Sequence, residues 1–205
     1  MIIKLSQATP EQIDQAFVAY VESFYEPYAK KLISRDKGKL HTIFKACFDH
    51  EQVYIYLLDG RAVGFLGWAT KGNHAIKPNK KVLRQHVGFL WGTVVAIGFN
   101  LSQPLARHDD EAIIEYCAVC PLARGQGVGG KLIAHLCEAS GHSAYILETT
   151  EENSSAVRLY SKLGFVKLPK KLNLIIRATA RMFKLGTPIL MKLDADSLCP
   201  IKNIQ

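Results

Sequence analysis

Val119-Cys120-Pro121-Leu122-Ala123-Arg124-Gly125-Gln126-Gly127-Val128-Gly129-Gly130-Lys131 decides how the rest of this chain is read. An apolar run, Ala112 to Val119, leads into it and reads as a buried strand. Beyond it, Val128, Leu132, Ile133 and Leu136 share one face of an amphipathic helix. Glycine lets the backbone approach a ligand closely and turn its N–H groups outward. A helix start with unpaired N–H groups attracts anions. The segment therefore reads as a phosphate cradle, against the plainer alternative of a glycine-rich turn that binds nothing.

Three spellings compete for it. Gly125-x-x-x-x-Gly130-Lys131 approaches a P-loop, but that motif needs Ser or Thr next, to hold magnesium, and Leu132 stands there. Gly125-x-Gly127-x-x-Gly130 spells a dinucleotide fingerprint, with Glu148 as the acid beyond it. That fingerprint turns directly off its strand. Here Pro121 to Arg124 intervene, and too few residues follow Gly130 for the usual doubly wound sheet. The third spelling fits best. Arg124-x-x-Gly127-x-Gly129, after a strand ending in Val-x-Pro, resembles the acetyl-CoA pyrophosphate loop of the GCN5-related N-acetyltransferases (GNATs).

A second segment supports the resemblance. Asn153-Ser154-Ser155-Ala156-Val157-Arg158-Leu159-Tyr160-Ser161-Lys162-Leu163-Gly164-Phe165 resembles the GNAT signature N-x-x-A-x-x-x-Y-x-x-x-G-F. Its physics stands independently. Asn153 suits a helix N-cap, Ala156, Tyr160 and Leu163 share a helical face, and Gly164 can end the helix. Ala144 to Leu147 reads as a strand between the two signatures. The match is closest over residues 112–168. It implies an α/β (α+β) GNAT fold: a mixed central sheet splayed at the cofactor strand, with helices on both faces.

Composition agrees with a folded protein. Of 205 residues 48% are apolar, which argues against general disorder. One domain spanning 1–205 is expected, with an insertion at about 70–110. The N-terminus lacks the charged region and longer apolar core of a signal peptide. Five irregularly spaced cysteines suggest reduced thiols and a cytoplasmic home. Cys117-x-x-Cys120 has no second pair, and no histidine shows ligand spacing, so no metal is expected. The formal charge of +8 is uneven: residues 70–108 hold six Lys or Arg and no acid, and residues 153–193 hold nine and no acid. Such a field suits the phosphates of CoA. No RNA-binding signature accompanies it, so no nucleic acid is expected.

Outside the signatures, Ile2 to Leu5 reads as a strand, and Thr9-Pro10-Glu11-Gln12 as a capping box opening a helix with Ile13, Phe17, Tyr20 and Phe24 inward. A helix after Gly38 buries Leu40, Ile43, Phe44 and Cys47. Val53 to Leu58 and Ala62 to Trp68 read as a hairpin turned by Asp59-Gly60. Then the chain departs from the family's compact plan. Thr70 to Lys81 reads as a basic loop and Val82 to Phe99 as one helix. Its apolar run from Val87 to Phe99 is too short to span a bilayer. The expectation is a buried helix, with Phe89, Leu90, Trp91 and Val94 covered and no affinity for neutral vesicles; a lid, a dimer surface or a membrane-facing patch are the other readings. Pro169 to Gly186 is a second long connection, before a final strand Ile189 to Leu193.

The resemblance also implies site residues. Cys117, Ala118 and Val119 would offer the backbone edge that pairs with pantetheine. Arg124, Gly125, Gln126, Gly127, Val128, Gly129 and Gly130 would hold the pyrophosphate. Asn153, Ala156 and Tyr160 would lie along the pantetheine arm, and Arg158 and Lys162 are candidates for the 3′-phosphate or plain surface charge. Tyr160 is the general-acid candidate, because a phenol is protonated at neutral pH and can supply a proton to a leaving thiolate. Glu115, on the cofactor strand and nominally on the face of Cys117, is the base candidate, with Glu111 and His108 as alternatives. The implied activity is acetyl transfer from acetyl-CoA to a primary amine by direct attack, in a monomer or homodimer. A CoA-binding regulatory or scaffold module without turnover is the alternative.

Overall fold

The computed structural model describes residues 1–102, 108–169 and 184–195. Seven strands form one sheet: β1 (Ile2–Lys4), β2 (Val53–Leu58), β3 (Arg61–Ala69), β4 (Glu111–Val119), β5 (Ala144–Thr150), β6 (Val166–Lys167) and β7 (Pro188–Asp194). Their spatial order is β1-β2-β3-β4-β5-β7-β6, and every pair is antiparallel except β4 with β5. The parallel step is forced by the helix α6 (Val128–Ser140), which carries the chain back across the sheet.

Helices cover both faces. On one lie α1 (Pro10–Phe24), which runs through a π turn (Tyr25–Ala29) into the short α2 (Lys30–Leu32), and α3 (Lys37–Cys47). Phe17, Tyr20, Phe44, Phe48 and Phe65 form an aromatic core beneath them. On the other face α6 and α7 (Ser154–Lys162) pack on Leu66, Ile114, Tyr145 and Leu147. The capping box at α1 is formed as read: Gln12 N–H donates to Thr9 Oγ1 (3.3 Å), and Thr9 N–H to Gln12 Oε1 (3.0 Å). α3 begins ahead of Gly38 because Asp36 caps it, accepting from Lys39 N–H at 3.0 Å.

Gly64 fixes where α6 sits. A β-carbon there would stand 2.6 Å from Val128 Cγ1 and 3.0 Å from Leu132 Cδ1. Without one, the first turn of α6 rests directly on β3.

The insertion corrects the sequence expectation. Residues 82–99 are not one helix. α4 (Lys80–Val87) is capped by Asn79, breaks at Gly88 with φ +92°, and α5 (Phe89–Ser102) folds back on it. Gly92 makes the close approach possible, since a β-carbon there would lie 2.7 Å from Arg84 N. Val95 and Ala96 join Leu83, Ile43 and Cys47 in a small outer core. The sheet face is already occupied by α1 and α3, so the hairpin packs on α3 as a second layer and buries only one side of α5. Phe89, Leu90, Trp91 and Val94 were expected to be covered; they are 66%, 80%, 42% and 52% exposed. Most of the 169–186 connection lies outside the described residues.

Candidate active site

β4 pairs with β3 from Ile113 to Val119, but with β5 only from Glu111 to Ile114. Residues 115–119 have no strand partner on the β5 side. An extra residue accompanies the divergence. Trp68 stands opposite Ile114 and Gly67 opposite Tyr116, which leaves Glu115 bulged. A bulge bends its strand and re-aims side chains. Cys117, Ala118 and Val119 lie on the free stretch. Cys117 packs on the α6 side, where burial pushes its thiol up to about 12.

The bulge also ends the shared face of Glu115 and Cys117. Glu115 turns to the α1 side. Its Oε1 lies 2.7 Å from His74 Nδ1, and its Oε2 accepts from Ala75 N–H at 2.8 Å. Its side chain is 3% exposed. Burial raises its pKa, and His74 and the N–H groups of Ala75 and Ile76 partly offset that rise. Glu115 therefore braces the bulge against the loop that opens the insertion. Glu111 and His108 sit at the opposite end of β4, where the strand pairs with β5, joined by a His108 N–H to Glu111 Oε2 contact of 3.3 Å.

Past β4, Cys120 N–H donates to Val63 O and a 3-10 turn spans Pro121–Ala123. Gly125 and Gly127 take φ of +79° and +77°, which only glycine adopts without strain. The first helical bond of α6 is Lys131 N–H to Gly127 O, so the N–H groups of Val128, Gly129 and Gly130 precede any helical acceptor. Gly127 supplies no side chain to cap them. Arg124 Nε donates back to Val119 O at 3.2 Å, tying loop to strand. A bare helix N-terminus thus stands beside a free strand edge. Gln126 is exposed on the same loop.

Asn153 caps α7, its Oδ1 accepting from Ala156 N–H at 3.3 Å. Ala156 and Leu159 pack on the α6-side core; Arg158 and Lys162 are exposed. Tyr160 is 8% exposed and its ring lies 5.8 Å from that of Phe165, tilted by 55°. Its hydroxyl has no hydrogen-bond partner among the described residues, yet is not among the atoms sealed from solvent. Burial raises its pKa, helped by Cys117 and Tyr28.

Tyr28 and Glu148 were not singled out for this site by the sequence. Tyr28 lies on the π turn, and its pKa is raised by burial and then by Glu148 and Glu152. Glu148 lies just past the last β4–β5 pair, is reached by solvent, and is crowded enough that burial raises its pKa. Tyr116 feels both Glu115 and Glu148. Glu152 holds the entry to β7 through Thr187 N–H (2.8 Å to Oε2) and Thr187 Oγ1 (3.0 Å to Oε1). Tyr28, Tyr116 and Glu148 are therefore neighbours at the splay, and Tyr28 also lies near Tyr160. Two signals pointed there: Pro27 just past a helix end, and a carboxylate in the apolar run Tyr145-Ile146-Leu147.

The family model of the acetyltransferase (GNAT) family matches residues 13–165. The chain belongs to the GNAT family. The family uses acetyl-CoA, and both signatures fall inside the matched region. Solved GNAT-like structures share the fold at low identity. An N-acetyltransferase from Staphylococcus aureus Mu50 aligns at a TM-score of 0.61 and 16% identity, over 94% of this chain and 100% of that one. PH1933 from Pyrococcus horikoshii OT3 aligns at 0.58 and 16%, over 95% and 97%. A histone acetyltransferase HPA2 and related acetyltransferase from Corynebacterium glutamicum aligns at 0.56 and 20%, over 94% of each. An uncharacterized protein of Mycobacterium leprae is 39% identical over 51 residues, a match spanning 25% of this chain and 14% of that protein.

Proposed function

We propose that this GNAT acetyltransferase is a single-domain N-acetyltransferase, moving acetyl from acetyl-CoA to a primary amine by direct attack in a ternary complex. One observation carries the reading. The free β4 edge and the uncapped start of α6 stand together at the splay, with Glu148 beside Tyr28 and Tyr116, and with Tyr160, whose hydroxyl has no hydrogen-bond partner among the described residues.

The residues fit the donor. Gly125 to Gly130 offer backbone N–H groups and the positive end of a helix to pyrophosphate. The edge of Cys117, Ala118 and Val119 offers strand pairing to an amide-bearing arm, and Asn153 and Ala156 open α7, whose Leu159 lies against Gly129 of α6. The donor supplies an activated thioester, and holding it against the amine lowers the barrier by ~7–11 kcal/mol in favourable cases. Tyr160 keeps its proton, because burial disfavours the phenolate, and delivers it to the departing sulfur.

For the base, the geometry favours Glu148 over Glu115. Both Glu115 oxygens are engaged by His74 and Ala75. Glu148 is reached by solvent beside Tyr28 and Tyr116, and its raised pKa makes it a stronger proton acceptor than an ordinary carboxylate. Its charge beside Tyr28 and Tyr116 also suits a cationic amine. The acceptor is either a small amine or a protein amine.

The test is an amine panel read by CoA thiol release, with acetyl-CoA affinity measured in parallel. Turnover on at least one amine is expected. Tight acetyl-CoA binding with no release on any amine would replace this reading with a CoA-binding scaffold.

A further inference from the structure

We propose that the α4–α5 hairpin docks this protein on the surface of an anionic lipid bilayer.

α5 is apolar nearly all round, broken only by Thr93, Asn100 and Ser102. Such a helix is normally enclosed by protein or lipid. Here Gly92, Val95 and Ala96 face α4 and α3. On the opposite side Leu90, Val94 and Ile97 follow one another at helical spacing, flanked by Trp91 and Phe89. All five are exposed, Ile97 at 49%. Soluble proteins rarely leave a contiguous apolar face of this kind without an occupant.

The geometry allows insertion only to interfacial depth. Fourteen residues of helix are about 21 Å long, against about 30 Å for a hydrocarbon core. No helix among the described residues is long and apolar enough to cross a membrane. One side of α5 is also fixed to protein, so the exposed side can lie in the headgroup boundary. Trp and Phe suit that depth.

Charge selects the occupant. Residues 70–108 contain six Lys or Arg and no acid. The Arg84 guanidinium sits 4.5 Å over the Phe89 ring and donates to Thr93 Oγ1 at 3.0 Å, so a cation is built into the rim of the apolar face. Lys80 and Lys81, one turn earlier on α4, are exposed and have no acidic partner among the described residues. A second copy meeting this face would bring two basic hairpins together, which like charges oppose. An anionic surface neutralises them, at roughly fivefold in affinity per cation.

The experiment is co-sedimentation of the full chain with vesicles of pure phosphatidylcholine or with 30% phosphatidylglycerol, at low and at 0.5 M salt. The expected result is binding to the anionic vesicles, at least tenfold weaker to neutral ones and reduced by salt. Leu90→Glu/Val94→Glu should abolish it, and Lys80→Glu/Lys81→Glu should weaken it more than tenfold. These side chains are exposed, so both variants should keep the wild-type melting temperature and acetyl-CoA affinity. No binding of the wild type to anionic vesicles at 1 mM lipid would overturn the proposal. So would binding that survives Leu90→Glu/Val94→Glu. A lipid-free dimer that this variant converts to monomer would assign the face to a second copy instead.

Discussion

Residues 111–168 and residues 70–102 are both built from apolar runs punctuated by glycine, yet they use glycine to opposite ends. In the first, Gly125 and Gly127 bend the backbone so that polar N–H groups point outward from an otherwise buried unit. In the second, Gly88 and Gly92 fold two helices tightly together, and the apolar side chains are what remains outside. The glycine-loop region hides carbon and shows backbone; the insertion hides backbone and shows carbon. The same residue type, placed at a helix start or inside a helix hairpin, decides which chemistry meets solvent.

The largest test of this contrast is Gly127→Asp. The residue must hold φ near +77° and would set a carboxylate against the bare N–H groups of α6. We expect acetyl-CoA affinity to fall at least a hundredfold by calorimetry, with the fold kept, since nothing lies within 4 Å of the added carbon. Gly129→Asp is expected to abolish binding too, but by damaging the fold. Its β-carbon would meet Leu159 at 3.3 Å and Cys117 Sγ at 3.6 Å, carrying charge into the core. Unchanged affinity in folded Gly127→Asp would remove the cofactor from this loop.

Next in size is Tyr160→Phe. The ring still packs, so the melting temperature and acetyl-CoA affinity should hold. The lost proton donor should lower kcat and kcat/KM together, by ~10²–10⁴-fold. A variant at full rate would make Tyr160 a packing residue.

Glu148→Gln should cost about 10²-fold in kcat/KM, the low end because water can stand in for the carboxylate. Its pH dependence has a defined sign. A base must be ionised, so the wild-type rate should climb with pH through a value above the ordinary carboxylate range, and the variant should lose that limb. Stability runs the other way. A folded pKa above the unfolded one means that ionisation costs stability as pH rises from about 4.3 upward. The variant should therefore melt no lower than wild type at neutral pH, and slightly higher if the carboxylate is ionised there. Glu115→Gln should instead lower the melting temperature and leave the acidic limb in place, as a brace would.

The smallest effects separate the two faces of the hairpin. Leu83→Ala should destabilise by ~2–5 kcal/mol, because Leu83 is wholly buried against Gly92 and α3. Leu90→Ser should change stability by about 0.5 kcal/mol or less in denaturant titration. Equal losses at both positions would mean that α5 is covered on both sides.

Local chemistry made much of the fold readable. The Asn153 cap, the Asp59-Gly60 turn, the Thr9 capping box and the glycines after Arg124 each act within a few residues, so sequence displays them directly. What sequence hid depended on distant partners. The facing of Glu115 turns on its being one extra β4 residue opposite the Gly67–Trp68 step, a register slip that no alternation pattern reveals. Tyr28 and Glu148 lie far apart along the chain and meet only because a π turn and a strand splay point them together. For residues 82–99, hydrophobicity announced burial, but the sheet face had already been filled by α1 and α3.

Gly64 lies across the β3–β4 ladder from Val119 and beneath Val128. It joins no candidate site, yet it is the spacer between the free strand edge and the helix start. A single methyl at that position would lift α6 against a close-packed interior that cannot absorb it elsewhere. The clearance of the anion cradle is thus gauged by an atom that is not there, on a strand no ligand needs to touch, and drift at residue 64 would be felt as lost affinity rather than as a lost fold.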